Sequence, residues 1–352
     1  MPVTNVSGLI EDRVSAIRDA AACCGSRIEL DVSGGIDSAV MLALAVLAVG
    51  PDNITACFSS ISSQDAMQKQ AQDLADALEV PLISLDLTEV FSCVVAEMLR
   101  GIGDAYDEET LEQVKARIAK DPTVLGSMRS CIRAPIGRGL NRMTGNGIRL
   151  GTGNECEDRY LRFYQKGGDG EVDCNPMAML SKGEVYQLAV GLGDKMGPDV
   201  ARAMRPIIEV GPQHDLWAGG DTRDESELKT WTGANFTYST VSPATGEYLT
   251  VGTIERVSRF LDYTLAWGIP HEALLFGEQL NTTAIAYLTR VAQDSPLFAG
   301  IPSQSVGDIL RAARRAERRT RHKINPNCPM YGSREDFVAR GILTNYLPIS
   351  LG

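Results

Sequence analysis

The segment Ser33-Gly34-Gly35-Ile36-Asp37-Ser38 constrains this chain more than any other. It follows a strand-like run, Arg27 to Val32, and leads into an Ala/Leu/Val helix from Ser38 to Val49 that Gly50-Pro51 stops. A glycine-rich turn at such a junction presents free backbone N–H groups beside the positive end of a helix, where an anion is stabilised. The glycines allow close backbone approach, the two serines offer hydroxyl donors, and Asp37 can hold a Mg²⁺ that offsets phosphate charge. Residues 33 to 38 therefore read as a phosphate cradle in preference to a plain glycine turn. The loop is not a Walker A loop, whose Gly-Lys-Ser/Thr ending is missing.

The surrounding pattern predicts a doubly wound parallel sheet. A helix carrying Ile10, Val14, Ile17 and Ala21 on one face, with Ser7 as its cap, ends near Gly25. Strands are predicted at Arg27 to Val32, Ile54 to Phe58 and Pro81 to Leu87, with an amphipathic helix from Gln64 to Leu78. This βαβαβ order favours an α/β, Rossmann-like fold. From Glu89 to Ile118 the pattern is helical, Met128 to Met143 predicts another helix despite Pro135, and Ile148 to Leu150 predicts a fourth strand. A helix is expected to begin around Glu157. Beyond Pro212 a Gly/Asp/Thr/Ser-rich stretch to about Gly252 predicts loops and a lid, and helices resume from Thr253.

Composition narrows the function. With 44% apolar and 22% charged residues the chain is neither disordered nor fibrous. A formal net charge of -11 argues against a general nucleic-acid binder, because phosphate backbones are held by clustered Lys and Arg. The cysteines include no C-x-x-C pair and the histidines no paired spacing suited to zinc, a usage that fits reduced thiols in a cytoplasm. No signal peptide is visible and no apolar run approaches the ~18 residues that span a bilayer, so no membrane is expected.

The hexapeptide at 33 to 38 resembles the signature of the N-type ATP pyrophosphatases, which include NAD synthases, GMP synthases, asparagine synthases and tRNA-modifying enzymes. Downstream, Gly151-Thr152-Gly153-Asn154-Glu155-Cys156-Glu157 resembles the NAD synthase motif G-T-G-N-x-x-E. The stretch Phe163 to Asp173 is similar to that family's G-D-G-x-x-D segment, and Pro176 to Leu188 to its P-x-x-x-L-x-K-x-x-V-x-x-L helix entry. Pro212, Asp215-Leu216-Trp217 and Asp224-Glu225-Ser226-Glu227-Leu228 resemble its mobile loop, and Arg321-His322-Lys323 its His-Lys-Arg tail. The likeness spans most of the chain and implies an adenine nucleotide alpha-hydrolase-like fold. Its implied division is a catalytic body, residues 1–260, and a helical C-terminal extension, residues 261–352, whose basic tail completes the site.

The resemblance implies a reaction in which a carboxylate attacks the α-phosphorus of ATP, pyrophosphate leaves, and ammonia displaces AMP to form an amide. For an NAD synthase the acid is nicotinic acid adenine dinucleotide and the metal Mg²⁺. Carried over by position, Ser33, Gly34, Gly35, Ile36, Asp37, Ser38, Thr152 and Lys182 would contact ATP, and Asp37 and Glu157 would hold the metal. Lys182, Lys323 and Asp37 would act in catalysis, while Arg133, Asp169, Asp173, His322 and Lys323 would meet the substrate. Taken alone, Glu157 reads equally as an acid in a helix first turn, and Asp169-Gly170 reads better as a turn. The resemblance also implies a homodimer. The short segment ahead of the loop predicts no fused glutaminase, so ammonia would arrive free or from a separate one.

Departures qualify the substrate. The family's G-N-x-x-A-R-x-R run is matched only at Gly126 and Arg133, with Ser127 and Cys131 at the Asn and first Arg. Thr232 to Gly252 and much of Ala266 to Arg311 have no counterpart in the short family members. Two further readings follow: a paralogue that amidates nicotinic acid mononucleotide or another carboxylate, and an ATP-binding regulatory module without turnover, which the intact Asp37, Glu157 and Lys182 oppose. Arg311, Arg314, Arg315, Arg318 and Arg319 share one helical face, read first as solvated and otherwise as a clamp for phosphates or RNA. His214 and His271 read as structural or exposed.

Overall fold

The computed structural model describes residues 3–121, 123–212, 223–266, 289–320, 323 and 334–343. Strands β1 (Ile28–Asp31), β2 (Ile54–Ser60), β3 (Leu82–Asp86) and β4 (Ile148–Arg149) form one parallel sheet in the order β3-β2-β1-β4. Ile28 is in register with Ile54 on one side and Ile148 on the other. Leu30, Ala56 and Cys57 on the inner strands are fully buried, as expected where helices cover both faces of a parallel sheet.

Helix α1 (Val6–Ala22) precedes β1, and α2 (Ile36–Val49) follows it directly. Val40 to Ala45 on α2 are all inaccessible to solvent, so this helix is apolar around its circumference and can only be a core element. It packs against the sheet, α1, α3 (Asp65–Ala77), α7 (Lys182–Met196) and α8 (Pro198–Val210). After β3 the chain runs through α4 (Thr88–Ala105), α5 (Glu108–Lys120) and α6 (Thr123–Thr144), then crosses to the opposite side of β1 to enter β4. That reversal puts a topological switch point at the carboxyl ends of β1 and β4, where open α/β sheets leave a crevice. The Ser33–Ser38 loop and Thr152 stand there.

The doubly wound architecture agrees with the sequence reading, and several local expectations are corrected. The cap of α1 is Asn5, whose Oδ1 accepts from Gly8 N at 2.8 Å, while Ser7 lies inside the first turn. The helical pattern from Glu89 to Ile118 is two helices, broken at Tyr106-Asp107 because Asp107 caps α5 by accepting from Thr110 N. The helix expected over Met128 to Met143 is borne out as part of α6, which runs through Pro135 and begins earlier, at Thr123. The helix expected at Glu157 is a single wide π turn, Cys156–Leu161, closed by Arg162 in the left-handed region at φ 49°.

The stretch expected to be loose holds α9 (Asp224–Thr232) and an antiparallel hairpin, β5 (Thr240–Val241) and β6 (Tyr248–Thr250). Strands this short carry too little alternation to be seen in the sequence. Helices α10 (Thr253–Ala266), α11 (Ser303–Thr320) and α12 (Arg334–Ala339) follow. A second core joins Leu228, Phe236, Phe260, Phe298 and Leu310 to Cys156 and Leu161 of the π turn, so the C-terminal half is anchored on the segment that carries Glu157. Among the described residues no helix is long and apolar enough to cross a membrane.

Candidate active site

The loop after β1 is held by its own side chains. Ser33 N donates to Ser38 Oγ at 3.1 Å, Gly35 N to Ser33 Oγ at 3.3 Å, and Ser38 Oγ donates to the Gly35 carbonyl at 2.9 Å. Gly34 has φ +84°, and a Cβ there would stand 2.2 Å from the Met67 carbonyl oxygen of α3, so neither the conformation nor the space admits a side chain. The curl directs the N-terminus of α2, with Asp37 in its first turn, into the crevice.

Two carboxylates converge on one cation. Lys182 Nζ lies 2.6 Å from Asp37 Oδ2 and 2.7 Å from Glu157 Oε1, and Asn154 Nδ2 donates to the other Asp37 oxygen at 3.0 Å. Lys182 begins α7 immediately after Ser181, which forms a capping box with Glu184, so the lysine is delivered by a rigid helix start. It is 2% exposed. Burial alone would depress its pKa, but Asp37 and Glu157 outweigh that and hold it well above the ordinary lysine value. The Glu157 carboxyl is raised by burial, with Lys182 pulling the other way. Asp224, at the start of α9, is pushed up to about 7 by burial against the pull of Lys182.

A cavity of about 200 Å³ is lined by Ser33, Gly35, Ile36, Asp37, Ser38, Arg133, Thr152, Glu157, Asp169 and Lys182 among others. Ten of the sequence-predicted positions thus meet at one place. Gly34 supports the loop from behind. A smaller cavity of about 120 Å³ adjoins it at the ends of β1 and β2, lined by Asp31, Val32, Cys57, Phe58 and Arg149 and sharing Ser33, Thr152 and Arg133 with the first.

Two predicted residues stand elsewhere. Both Asp173 oxygens accept from Arg138, at 2.8 and 2.9 Å, and one also accepts from Arg149 N, so this side chain ties α6 to β4. Lys323 Nζ donates to the carbonyls of Arg162 and Tyr164 and lies 5.4 Å from the centre of the Tyr164 ring. It braces the wall that Tyr164 contributes to the larger cavity. His322, His214, His271 and Asp215 to Trp217 lie outside the described residues. In the basic run, Arg311 pairs with Asp308, while Arg315 and Arg319 donate to the Thr232 and Trp231 carbonyls at the end of α9. These three arginines are exposed, as a solvated face requires, and two of them also cap the C-terminus of α9.

Sequence reasoning missed Ser130 and Asp158. Ser130 Oγ accepts from Asp169 N at 3.2 Å, and both residues line the cavity. Asp158 reaches the same cavity as its neighbour Glu157 because the π turn is wider than an α turn. Its carboxyl is raised well above the ordinary value, first by burial and then by Glu157, Asp169 and Asp37. Nothing in the residue pattern marks a π turn.

A glycine-rich loop at the switch point of a parallel sheet, faced by a lysine and paired carboxylates, defines an α/β fold of the adenine nucleotide alpha-hydrolase type. The NAD synthase family profile matches residues 9–232. The chain is 30% identical over 218 residues to the NH(3)-dependent NAD(+) synthetase of Methanosarcina mazei, covering 61% of this chain and 74% of that protein. It is 32% identical over 227 residues to the protein of the same name from Halobacterium salinarum, covering 62% and 71%. The chain belongs to the NAD synthase family. The same fold is seen in the NMN synthetase of Francisella tularensis, with a TM-score of 0.58 at 18% identity over 91% of this chain and 96% of that one.

Proposed function

We propose that this protein is an AMP-forming ligase that amidates nicotinic acid adenine dinucleotide with ATP and ammonia, releasing NAD, AMP and pyrophosphate. The observation that carries the reading is the Lys182 ammonium held between Asp37 and Glu157 beside the Ser33–Ser38 loop. Loop N–H groups and the Ser33 and Ser38 hydroxyls bind the phosphates and orient the α-phosphorus. Lys182 stabilises charge developing on the departing pyrophosphate, and Thr152 closes the far side of the cradle. No side-chain nucleophile is needed, since the substrate carboxylate attacks. Arg133 and Asp169 meet the substrate, with His322 from the tail, while Lys323, engaged by the Arg162 and Tyr164 carbonyls, orders the wall against which the substrate rests. Residues 1–260 form the catalytic body and 261–352 the extension that completes it.

Mg²⁺ fits this donor set. Six carboxylates line the larger cavity, from Asp37, Glu157, Asp158, Asp169, Asp224 and Glu227, against Lys182 and Arg133. A counter-cation eases the entry of a polyphosphate among these acids, and oxygen-only donors suit a hard one. Asp37 and Glu157, which already share a cationic point, would hold it. When bound, the metal neutralises phosphate oxygens and makes the α-phosphorus easier to attack.

Two further features concern partners and setting. On α4, Val90, Val94 and Met98 form an exposed apolar stripe, and neither α4 nor α5 has a buried residue. The first half of α5 carries Glu108, Glu109 and Glu112 and the second half Lys115, Arg117 and Lys120, so two copies related by a twofold axis would match acid to base. We assign this face to a homodimer contact. Every described cysteine is a free thiol, which fits a reducing compartment such as the cytoplasm. Ammonia is taken free or from a separate glutaminase.

The test is purified protein with ATP, Mg²⁺ and ammonium, following AMP and pyrophosphate with nicotinic acid adenine dinucleotide and, in parallel, its mononucleotide. Equimolar NAD, AMP and pyrophosphate are expected with the dinucleotide. AMP formed with the mononucleotide alone would transfer the assignment to that acid, which the Ser127 and Cys131 departures make the natural competitor.

A further inference from the structure

Behind the Lys182–Glu157 pair lies a second ionic rung. Arg259 on α10, beyond the matched family region 9–232, is 1% exposed. Its Nη1 lies 2.6 Å from Glu155 Oε2 and its Nη2 3.3 Å from Glu184 Oε2. Both carboxylates are fully buried. Glu155 stands two residues before Glu157, and Glu184 two residues after Lys182. Both glutamates are also tied to the backbone that leads into Lys182, Glu155 through its own main-chain N–H and Glu184 through its carboxylate. Glu155 N donates to the Leu180 carbonyl at 2.7 Å, and Glu184 Oε2 accepts from Ser181 N at 2.9 Å in the capping box that starts α7. Arg334 of α12 fixes the remaining freedom of Glu184 through two bonds of 2.8 and 2.6 Å.

We propose that Arg259 is a positioning residue that sets the separation of Glu157 from Lys182, and with it the width of the cation and phosphate site. A guanidinium is a planar fork that holds two carboxylates at a set spacing, whereas an ammonium is a point charge around which they can slide. The rung joins the π turn to α7 directly behind the reacting groups, and its arginine comes from the C-terminal half of the chain. Arg334, from residues 261–352, joins the same rung at Glu184, so the extension is wired to the cradle through charge as well as through the second core. This proposal rests on the nucleotide and metal reading of the site given above.

The test compares full-length wild type with Arg259→Met and Arg259→Lys. It measures calorimetric affinity for the non-cleavable analogue α,β-methylene ATP with Mg²⁺, and kcat and KM for AMP release. Arg259→Met is expected to weaken analogue binding about tenfold and to lower kcat about a hundredfold, the scale of a misplacement near 1 Å. Arg259→Lys should recover part of both losses, because it keeps the charge and loses the fork. If Arg259→Met does not fold, the double variant Glu155→Gln/Arg259→Met removes both ends of the 2.6 Å pair and leaves no stranded carboxylate at 155; the same losses are expected there. A folded Met or double variant with wild-type affinity and kcat overturns the proposal alone. Failure of wild type to bind the analogue overturns the nucleotide reading and the proposal together.

Discussion

The Lys182 ammonium lies 2.7 Å from the Glu157 carboxylate although the two residues come from a helix start and a π turn separated by 25 positions. The same ammonium is 2.6 Å from Asp37. Removing it strands two carboxylates in the site proposed to take a polyphosphate. Lys182→Met should lower pyrophosphate release by about a hundredfold to a thousandfold, the range for losing one preorganised donor to developing charge. Lys182→Arg should not restore it, since a buried point charge and a planar fork are not interchangeable. Quenched-flow measurement of pyrophosphate checks both.

Asp37→Asn and Glu157→Gln keep shape and remove one charge each from the proposed metal site. Pyrophosphate release is expected to vanish at ordinary Mg²⁺ while the circular dichroism spectrum and melting temperature stay near wild type. Turnover at the wild-type rate in either variant would remove the two-carboxylate assignment.

Gly34→Ala places a methyl 2.2 Å from the Met67 carbonyl and demands φ +84° from a residue with a side chain. A cost of about 1–3 kcal/mol is expected, together with weaker ATP binding because the loop must move away from α3. Urea unfolding and ATP titration measure the two effects separately. Gly35→Ala, with Ser33 Oγ at 3.4 Å and φ -84°, should be milder in stability.

The pH dependence of stability should report the buried rung. Burial pushes the Glu184 carboxyl up, but Arg334 and Arg259 outweigh it and bring its pKa from 4.5 down to about 2. A depressed folded value means the contribution is present above 4.5 and is lost as pH falls from there through about 2. The stability gap between wild type and Glu184→Gln should therefore be widest above pH 4.5 and close progressively on acidification. Urea midpoints recorded across that interval check the sign.

Val94→Glu puts a charge in the middle of the Val90–Val94–Met98 stripe. Light scattering should show a shift from dimer to monomer with the fold intact. An unchanged mass would remove this face from the interface.

Much of the fold could be read from residue order. Ser33 to Ser38 between an apolar strand and an apolar helix, followed by βαβ spacing, dictated a parallel sheet with a glycine loop at its switch point, because hydrophobic period and glycine placement act locally. Ser130 and Asp158 escaped notice because their roles depend on facing Asp169 and on a π turn, neither of which leaves a local pattern. The hairpin at 240–250 escaped because its strands are too short to show a period.

The sequence by itself determined the chemistry on offer: a glycine-rich loop before a helix, acids that can take a cation, and a lysine at a helix entry. Only the tertiary structure decided which of these meet. It brought Asp37, Glu157 and Lys182 to one point, turned Asp173 toward Arg138, and set Arg259 behind the site. Charge pairing across the fold is selected by burial: once water is excluded, a carboxylate either meets a cation that the packed chain brings or, like Asp158, is driven toward its protonated form. That constraint acts between segments far apart in the chain, and no local pattern of residues records it.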